Sequence, residues 1–212
     1  DRGQSHAVNK GFQRATGEIF AWLNSDDFYL PGVLRYVAQE FKKRPHAVGA
    51  LVGEGHIINE QGDIVYTPTA NELSRDALLN WMGYGDFMQP SCFFRAAAWK
   101  QCGPLREDLH YALDVDLWLK IIRGFTFERL SGVLSHSLSH KNAKTTAERE
   151  RMRAETIWLV MGHGGDDAGR KAIFKMADEL ADAKQKLNRI RNSISYKLFY
   201  PAYVRLQKIF KR

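Results

Sequence analysis

Two pairs of aspartates are the residues of this sequence whose type and spacing best suit chemistry. The first pair, Asp26 and Asp27, directly follows an apolar and aromatic run at residues 18–23. Such a run between turn formers predicts a strand buried in a parallel sheet, and open α/β sheets bind ligands at the carboxyl ends of their strands. Two carboxylates there suit a hard divalent cation, Mg²⁺ or Mn²⁺, shared with substrate phosphates. The alternative is a turn in which one aspartate caps the helix expected near Pro31.

The second pair, Asp114 and Asp116, lies in an apolar segment that predicts a helix. Residues two apart on a helix point about 200° away from each other, so both cannot face one site. A carboxylate at a helix start beside Leu113 and Trp118 is expected to have a raised pKa, which suits a general base. The alternative is an acidic first helical turn that only favours the helix dipole.

Histidines and cysteines give less specific signals. His136 and His140 are four residues apart at the end of a predicted strand, although that spacing suits joint metal binding on a helix. A single histidine ligand and ordinary surface histidines both remain open. The two cysteines, Cys92 and Cys102, predict no disulfide framework, and Cys92 is interpreted as a core residue.

The elements that must position these side chains predict an α/β domain followed by helices. No apolar run of about 18 residues occurs, so no membrane-spanning helix is expected. A glycine-rich break at residues 162–169 separates two helical patterns, 141–160 and 170–194. The other expected elements are helices at 5–15, 31–43, 74–81, 96–101 and 111–122, strands at 88–95, 125–130 and 133–138, and a hairpin with its turn at 59–63.

The positive charge is concentrated in the last third of the chain. The net charge is +7, yet residues 1–140 contain 14 Lys and Arg against 16 Asp and Glu, whereas residues 141–212 contain 17 against 8. The basic tail, residues 184–212, contains basic and aromatic residues and no acidic one. This composition is typical of a helix lying on an anionic membrane surface, and the alternative is a solvated helix packed on the main domain. Because residues 1–140 are not basic, no nucleic-acid partner is expected.

Several motifs occur in an order and at separations typical of a known family. They are Asp1-Arg2-Gly3-Gln4, Asn9-Lys10-Gly11, Gly17-Glu18, Trp22-Leu23-Asn24-Ser25-Asp26-Asp27, Pro31-Gly32, Gln89-Pro90-Ser91-Cys92-Phe93-Phe94-Arg95, Trp99, Gly103 and Leu113-Asp114-Val115-Asp116-Leu117-Trp118-Leu119. Over residues 1–146 the chain resembles the family 2 glycosyltransferases of the GT-A fold. The resemblance implies a Rossmann-like mixed sheet with flanking helices, incomplete at the N-terminus, with a helical basic extension at residues 147–212.

The resemblance also implies a reaction: an inverting transfer of a sugar from a nucleotide-sugar donor to an acceptor hydroxyl. Asp114 then corresponds to the general base, and Asp26 and Asp27 to the ligands of a Mg²⁺ or Mn²⁺ ion that holds the donor diphosphate. The implied acceptor is a glycan or lipid-linked molecule of the cell envelope or an exopolysaccharide, at the cytoplasmic face of the plasma membrane. The other implied contacts are Gln89 in the sugar and acceptor pocket, Asp1, Arg2 and Asn9 near the nucleotide and diphosphate, Asp116 as the next acid of the base motif, and His140 near the metal.

The chain departs from the family pattern in three places. Asn24 stands where many relatives carry the first Asp of an Asp-x-Asp motif, and Leu113 stands where a Glu often precedes the base. The nucleoside-binding βαβα half of the family has no counterpart, so the chain is expected to be a fragment that is poorly stable and inactive alone. The alternative function is a catalytically inactive, transferase-like module that docks to a membrane or a partner.

Overall fold

The computed structural model of the protein describes residues 1–68, 72–85, 87–139, 148–193, 196 and 199–200. Its elements in chain order are α1 (Gln4–Arg14), β1 (Ile19–Phe20), β2 (Asp27–Tyr29), α2 (Val33–Lys42), β3 (Val48–Ile58), β4 (Ile64–Tyr66), α3 (Arg75–Leu79), a π-helical turn (Trp81–Gly85), a 3₁₀ turn (Gln89–Ser91), β5 (Cys92–Arg95), α4 (Ala96–Cys102), α5 (Leu113–Ile121), β6 (Thr126–Leu138), α6 (Arg149–Gly162) and α7 (Asp166–Asn192). Asp1–Gly169 form one compact unit and Arg170–Arg212 a second.

The described strands form one mixed sheet in the order β1-β5-β3-β6-β2, with β4 paired to the end of β3. β3 and β6 run parallel along most of their length, whereas the other pairs are antiparallel. The hairpin between β3 and β4 is confirmed, and Asn59 shapes its turn by accepting hydrogen bonds from the backbone N–H groups of Gln61 and Asp63 at 3.0 and 2.8 Å. The mixed sheet with flanking helices predicted from the sequence is therefore confirmed.

Helices cover both faces of the sheet. Along β5 the burial alternates: Cys92 and Phe94 pack into one core cluster, and Phe93 packs into the other. The Phe93 side is covered by α2 through Val37 and Phe41. The opposite side is covered by α1, α4, α5 and α6. The result is a three-layer helix–sheet–helix arrangement, with the apolar face of each element buried against its neighbour.

The apolar run at residues 18–23 contributes more to the core than to the sheet. Only Ile19 and Phe20 pair with β5, and they do so antiparallel, so the parallel pairing predicted for this run is wrong for the partner strand that the structure describes. Trp22 leaves the sheet and stacks on Trp118 of α5, with ring centroids 5.7 Å apart. Aromatic burial therefore accounts for the apolar character of the run.

Several other predicted elements begin or end at different residues in the structure. The strand expected at 88–95 begins only at Cys92, because Pro90 lies in the preceding 3₁₀ turn and has no N–H to donate to a ladder. The strands expected at 125–130 and 133–138 form one continuous strand, β6. The helix expected at 141–160 begins at Arg149 in the structure, and residues 140–147 lie outside the described part of the chain.

Helix α6 packs into the same compact unit as the sheet. Ile157, Leu159 and Val160 are buried, and the last two contribute to the core that contains Trp118. This unit extends to Gly169, beyond the residue 146 at which composition and resemblance place the end of the transferase domain. That domain boundary stays a prediction. Among the described residues, no helix combines the length and apolar character needed to cross a bilayer.

Candidate active site

The turn between β1 and β2 carries the first aspartate pair. The backbone N–H of Asp27 donates to the Asn24 carbonyl at 3.2 Å, which closes the turn just before β2. The Asn24 side-chain amide donates to Asp27 Oδ2 at 2.8 Å, and the Asp27 carboxylate also hydrogen-bonds the Ser137 side chain of β6. Burial and the neighbouring charge of Asp26 raise the pKa of Asp27, and these hydrogen bonds oppose the rise. The two carboxylates therefore repel each other in a partly desolvated turn.

Asn24 is the centre of a polar network that fixes this turn. Its Oδ1 accepts a hydrogen bond from Gln4 Nε2 of α1 at 2.8 Å, and its Nδ2 donates to Gln89 Oε1 at 3.2 Å as well as to Asp27. Gln89 Nε2 in turn donates to the Trp22 carbonyl at 2.8 Å. The amide of Asn24 thus ties the aspartate turn to both α1 and the 3₁₀ turn. An aspartate at position 24 has no N–H to donate and could not make the contacts to Asp27 and Gln89.

The 3₁₀ turn that carries Gln89 rests directly on β3, and a glycine makes this approach possible. A Cβ at Gly55 would lie 2.8 Å from Ser91 Oγ and 2.9 Å from Met88 Cβ. Ser91 Oγ donates to the Glu54 carbonyl at 2.7 Å, which anchors the turn to the strand. The absence of a side chain at Gly55 therefore sets the height of Gln89 above the sheet.

Asp114 lies in the first turn of α5, close to the position at which the chain enters the helix. Its Oδ1 accepts a hydrogen bond from the backbone N–H of Val115 at 2.8 Å. Burial raises the pKa of the Asp114 carboxyl to about 6, and the charge of Glu155 adds to the rise, while backbone hydrogen bonds oppose it. A carboxylate with a pKa near neutrality can accept a proton from a hydroxyl and release it again, which suits a general base.

The aspartate turn, the 3₁₀ turn and the start of α5 line one cleft of about 660 Å³. A volume of this size is typical of a small-molecule site. Trp22 and Leu113 contribute apolar wall, and polar groups of β6 and of the turn before α5 complete it. The predicted site residues that the structure brings together in this cleft are Asp26, Asp27, Gln89 and Asp114.

Two predicted nucleotide contacts at the N-terminus do not line this cleft. The Asp1 carboxylate pairs with Lys10 Nζ at 2.8 Å. The Arg2 guanidinium pairs with Glu107 at 2.9 Å. Both pairs lie at the surface, where ion pairs contribute little to stability. Their contact with a nucleotide stays a prediction.

Asn9, the third predicted nucleotide contact, is buried and braces the loop before α5. Its side-chain amide donates to the Leu105 carbonyl at 2.9 Å, and its Oδ1 accepts from the Leu105 N–H at 2.8 Å. Because a buried backbone group without a partner is costly, this pair of bonds fixes the loop against α1. In the described structure Asn9 therefore acts on the site through the loop, and its role near the diphosphate stays a prediction.

Asp116 points away from the cleft, as the helical spacing of the second aspartate pair predicts. It is 1% exposed. Its Oδ2 lies 2.6 Å from Lys120 Nζ, and its Oδ1 lies 3.0 Å from His163 Nε2 at the end of α6. Burial alone would raise the pKa of Asp116, but the bonds from His163 and Lys120 outweigh it and lower the pKa. Asp116 therefore ties α5 to α6, and its predicted contact with substrate stays untested.

The predicted metal ligands are Asp26, Asp27 and His140. Residue 140 lies outside the described part of the chain, and the described residues contain no cluster of three or more His, Cys, Asp or Glu side chains able to hold a metal. The donor set nevertheless fits a hard divalent cation whose remaining ligands are phosphate oxygens, because such ions are commonly bound through one or two carboxylates plus substrate. The repulsion within the aspartate turn is of the kind that such a cation would relieve.

One residue of the site environment was not found by sequence reasoning. Glu155 of α6 contacts the backbone that leads into α5, from a position 41 residues after Asp114. A glutamate in a charged helical pattern gives no local signal of such a contact.

Comparison with known proteins finds similarity to glycosyltransferases. The family model described as "Glycosyl transferase family 2" matches residues 1–93, which include the aspartate turn and Gln89. Residues 1–93 are therefore similar in sequence to the family 2 glycosyltransferases. A glycosyltransferase of Rickettsia felis is 28% identical over 186 residues, which cover 83% of this chain and 30% of that protein. One of Rickettsia typhi is 26% identical over 166 residues, which cover 74% of this chain and 51% of that protein. The chain thus spans about half, or less, of the length of these relatives.

Solved structures confirm the GT-A fold of this chain. The structure of Staphylococcus aureus TarS 1–349 in complex with UDP-GlcNAc has a TM-score of 0.56 at 16% identity, covering 76% of this chain and 46% of that one. The complex of the same protein with UDP has a TM-score of 0.54 at 16% identity, covering 93% and 54%. At this level of identity the likeness concerns the fold.

Proposed function

We propose that this chain contains the catalytic face of a nucleotide-sugar-dependent glycosyltransferase and that Asp114 is its general base. One observation carries the proposal: Asp114, whose pKa is raised to about 6, opens onto the same cleft as Asp26 and Asp27. The match of residues 1–93 to the family 2 glycosyltransferases supports the reaction class. The cleft supports the division of roles, with one carboxylate for the proton and two for the donor phosphates.

In the proposed reaction Asp114 takes the proton of an acceptor hydroxyl as the hydroxyl oxygen attacks the anomeric carbon of the donor sugar. A new C–O bond forms, and the bond between the anomeric carbon and the diphosphate oxygen breaks, with its electron pair leaving on the diphosphate. Attack from the face opposite the leaving group inverts the configuration at the anomeric carbon. The proton remains on Asp114, whose raised pKa favours its capture, and passes to solvent afterwards.

Asp26 and Asp27 would hold a divalent cation against the donor diphosphate. Mg²⁺ or Mn²⁺ bound there would neutralise the negative charge of the departing nucleoside diphosphate. Asn24 and Gln89 keep the two carboxylates in place through the network described above. This support is available before the donor binds, which limits the reorganisation that the reaction requires.

The identity of donor and acceptor is a separate part of the proposal. Because the TarS structures contain UDP-GlcNAc and UDP, UDP-sugars are the first donors to test. The acceptor hydroxyl is proposed to belong to a glycan or lipid-linked molecule of the cell envelope or an exopolysaccharide. We also propose that the reaction takes place at the cytoplasmic face of an anionic membrane, because the basic tail suits binding to such a surface.

The experiment is release of nucleoside diphosphate from a panel of nucleotide sugars, with Mn²⁺ or Mg²⁺, by purified protein. Asp114→Asn should lower the rate by roughly 10²- to 10⁴-fold, the usual contribution of a general base. The matched control is Asp108→Asn, which removes an exposed carboxylate paired with Arg106 at 2.6 Å. An Asp114→Asn protein that transfers sugar as fast as the control would exclude Asp114 as the base.

A further inference from the structure

Helix α5, which carries Asp114, has no capping side chain of its own. The residue before its first turn is Ala112, whose side chain accepts no hydrogen bond at this end. The first N–H groups of a helix and the turn before it need acceptors from elsewhere, since buried N–H groups without partners are costly. For the turn before α5, the acceptor is a carboxylate from a different helix.

Glu155 of α6 accepts three hydrogen bonds from the turn that leads into α5. Its Oε2 accepts from the backbone N–H of His110 at 3.0 Å. Its Oε1 accepts from the N–H groups of Tyr111 at 2.7 Å and Ala112 at 2.8 Å. Successive N–H groups around one anion form a binding concavity, and hydrogen bonds to a charged acceptor are stronger than neutral ones. One side chain therefore fixes three consecutive peptide groups.

These peptide groups belong to the wall of the cleft. The side chains of His110 and Tyr111 line it, and Asp114 follows two residues after the last bond to Glu155. We propose that Glu155 is a positioning residue for the sugar transfer: by holding the turn at residues 110–112, it fixes the place at which Asp114 enters the cleft. This inference rests on the role proposed for Asp114.

The Glu155 carboxylate also acts on Asp114 through its charge. Burial is the main cause of the raised pKa of Asp114, and the negative charge of Glu155 adds to it. Removing that charge should therefore lower the pKa of Asp114. The other titratable groups around Asp114 are Cys92 of β5, His110 and Tyr111 of the turn, and Asp26 and Asp27 on the opposite side of the cleft.

A first experiment tests the coupling without any substrate. The free energy of unfolding is measured at pH 5 and pH 8 for the parent protein, Glu155→Gln, Asp114→Asn and the double variant. Glu155→Gln loses hydrogen bonds at both pH values, but at pH 8 it also relieves the repulsion of ionised Asp114, so its destabilisation should be smaller at pH 8 than at pH 5. In the Asp114→Asn background this pH dependence should disappear. Glu150→Gln is the matched control, because Glu150 lies on the same helix, is exposed and pairs with Arg153.

A second experiment tests the effect on transfer, with a donor found in the nucleotide-sugar panel. Glu155→Gln should lower kcat by about tenfold or more, since small misplacements of a catalytic group are costly, while the donor KM stays within about twofold. The acidic limb of the pH–rate profile should move to lower pH. Glu155→Asp keeps the charge on a shorter side chain. It should lower kcat but leave the acidic limb of the pH–rate profile closer to that of the parent protein.

The two experiments separate the failure of this inference from that of the proposed function. An active Asp114→Asn protein would overturn the role of Asp114, while the unfolding cycle would still report whether Glu155 and Asp114 are coupled. The inference is overturned if Glu155→Gln destabilises equally at both pH values in both backgrounds, because a purely structural contact behaves that way. An unchanged kcat and acidic limb, or an equal loss in Glu150→Gln, would overturn it as well.

Discussion

Replacing Asp114 with Asn should make the protein more stable at neutral pH while slowing the proposed reaction by roughly 10²- to 10⁴-fold. The folded protein raises the pKa of this carboxyl from 3.8 to about 6. A shift of about two units corresponds to at most ~3 kcal/mol at about 1.4 kcal/mol per unit. Because the folded-state pKa is raised, the stability associated with protonated Asp114 is fully present below pH 3.8 and is lost as the pH rises through 6. Asparagine is neutral at every pH and keeps an Oδ1 that can accept the Val115 N–H.

The gain in free energy of unfolding for Asp114→Asn should therefore grow between pH 4 and pH 8, towards ~3 kcal/mol. Urea unfolding followed by tryptophan fluorescence is a suitable assay. All five tryptophans lie before residue 170, so the signal reports the first compact unit. Asp108→Asn, at an exposed position, should show no such gain at high pH. A difference between Asp114→Asn and the parent protein that does not change with pH, or a loss of stability at pH 8, would refute the desolvation of Asp114 in the cleft.

Three further predictions test the surroundings of the cleft. Asn24→Asp places a third carboxylate in the turn and removes the side-chain N–H that donates to Asp27, so it should destabilise the metal-free protein by about 1–3 kcal/mol. Mn²⁺ should raise the Tm of this variant more than the Tm of the parent protein. Equal shifts of Tm with Mn²⁺ would count against a cation site. Asp116→Asn breaks the buried bonds to Lys120 and His163 and should lower the free energy of unfolding by about 3 kcal/mol at neutral pH. Because the pKa of Asp116 is lowered, this loss should vanish as the pH falls below 3.8 through the folded-state pKa. A loss of stability that persists in acid would contradict the ion pairing. The protein should co-sediment with phosphatidylserine vesicles at low salt and dissociate at high salt if the basic tail binds membranes, and failure to bind would dispose of that idea.

The parts of the site that could be predicted from sequence are those fixed by short local motifs. Asp26, Asp27 and Asp114 each follow a pattern within about ten residues, and the resemblance supplied the relation between them. Gln89 was placed in the cleft by the resemblance, although the sequence predicted that it lies within a strand rather than in the turn before one. Local helical geometry was also enough to predict that Asp116 faces away from Asp114. These expectations needed no knowledge of side-chain rotamers.

The parts that could not be predicted depend on contacts between residues far apart in sequence. Asn24 was recognised only as a departure from the family pattern, because its bonds to Gln4 and Gln89 depend on how α1 and the 3₁₀ turn pack. Trp22 made the run at residues 18–23 look like a longer strand, because hydrophobicity reports burial and does not distinguish sheet pairing from aromatic packing. The missed contacts of Asn24 and the wrong strand length have one cause: a sequence pattern identifies a side chain but not its partner.

Helix α6 lies beyond the predicted domain boundary at residue 146, and its contacts to α5 could not be predicted from the sequence either. Composition and the resemblance placed residues after 146 in a basic extension, a boundary that stays a prediction, and α6 contacts the turn before α5 and the first turn of α5. Glu155 holds the turn before the helix, and His163 pairs with Asp116 at 3.0 Å. A helix fixed at its entry and again two residues after Asp114 has little freedom to move that carboxylate in the cleft. If Asp114 is the base, Glu155 of α6 and His163 at its end are therefore the polar groups that we expect to hold it in place.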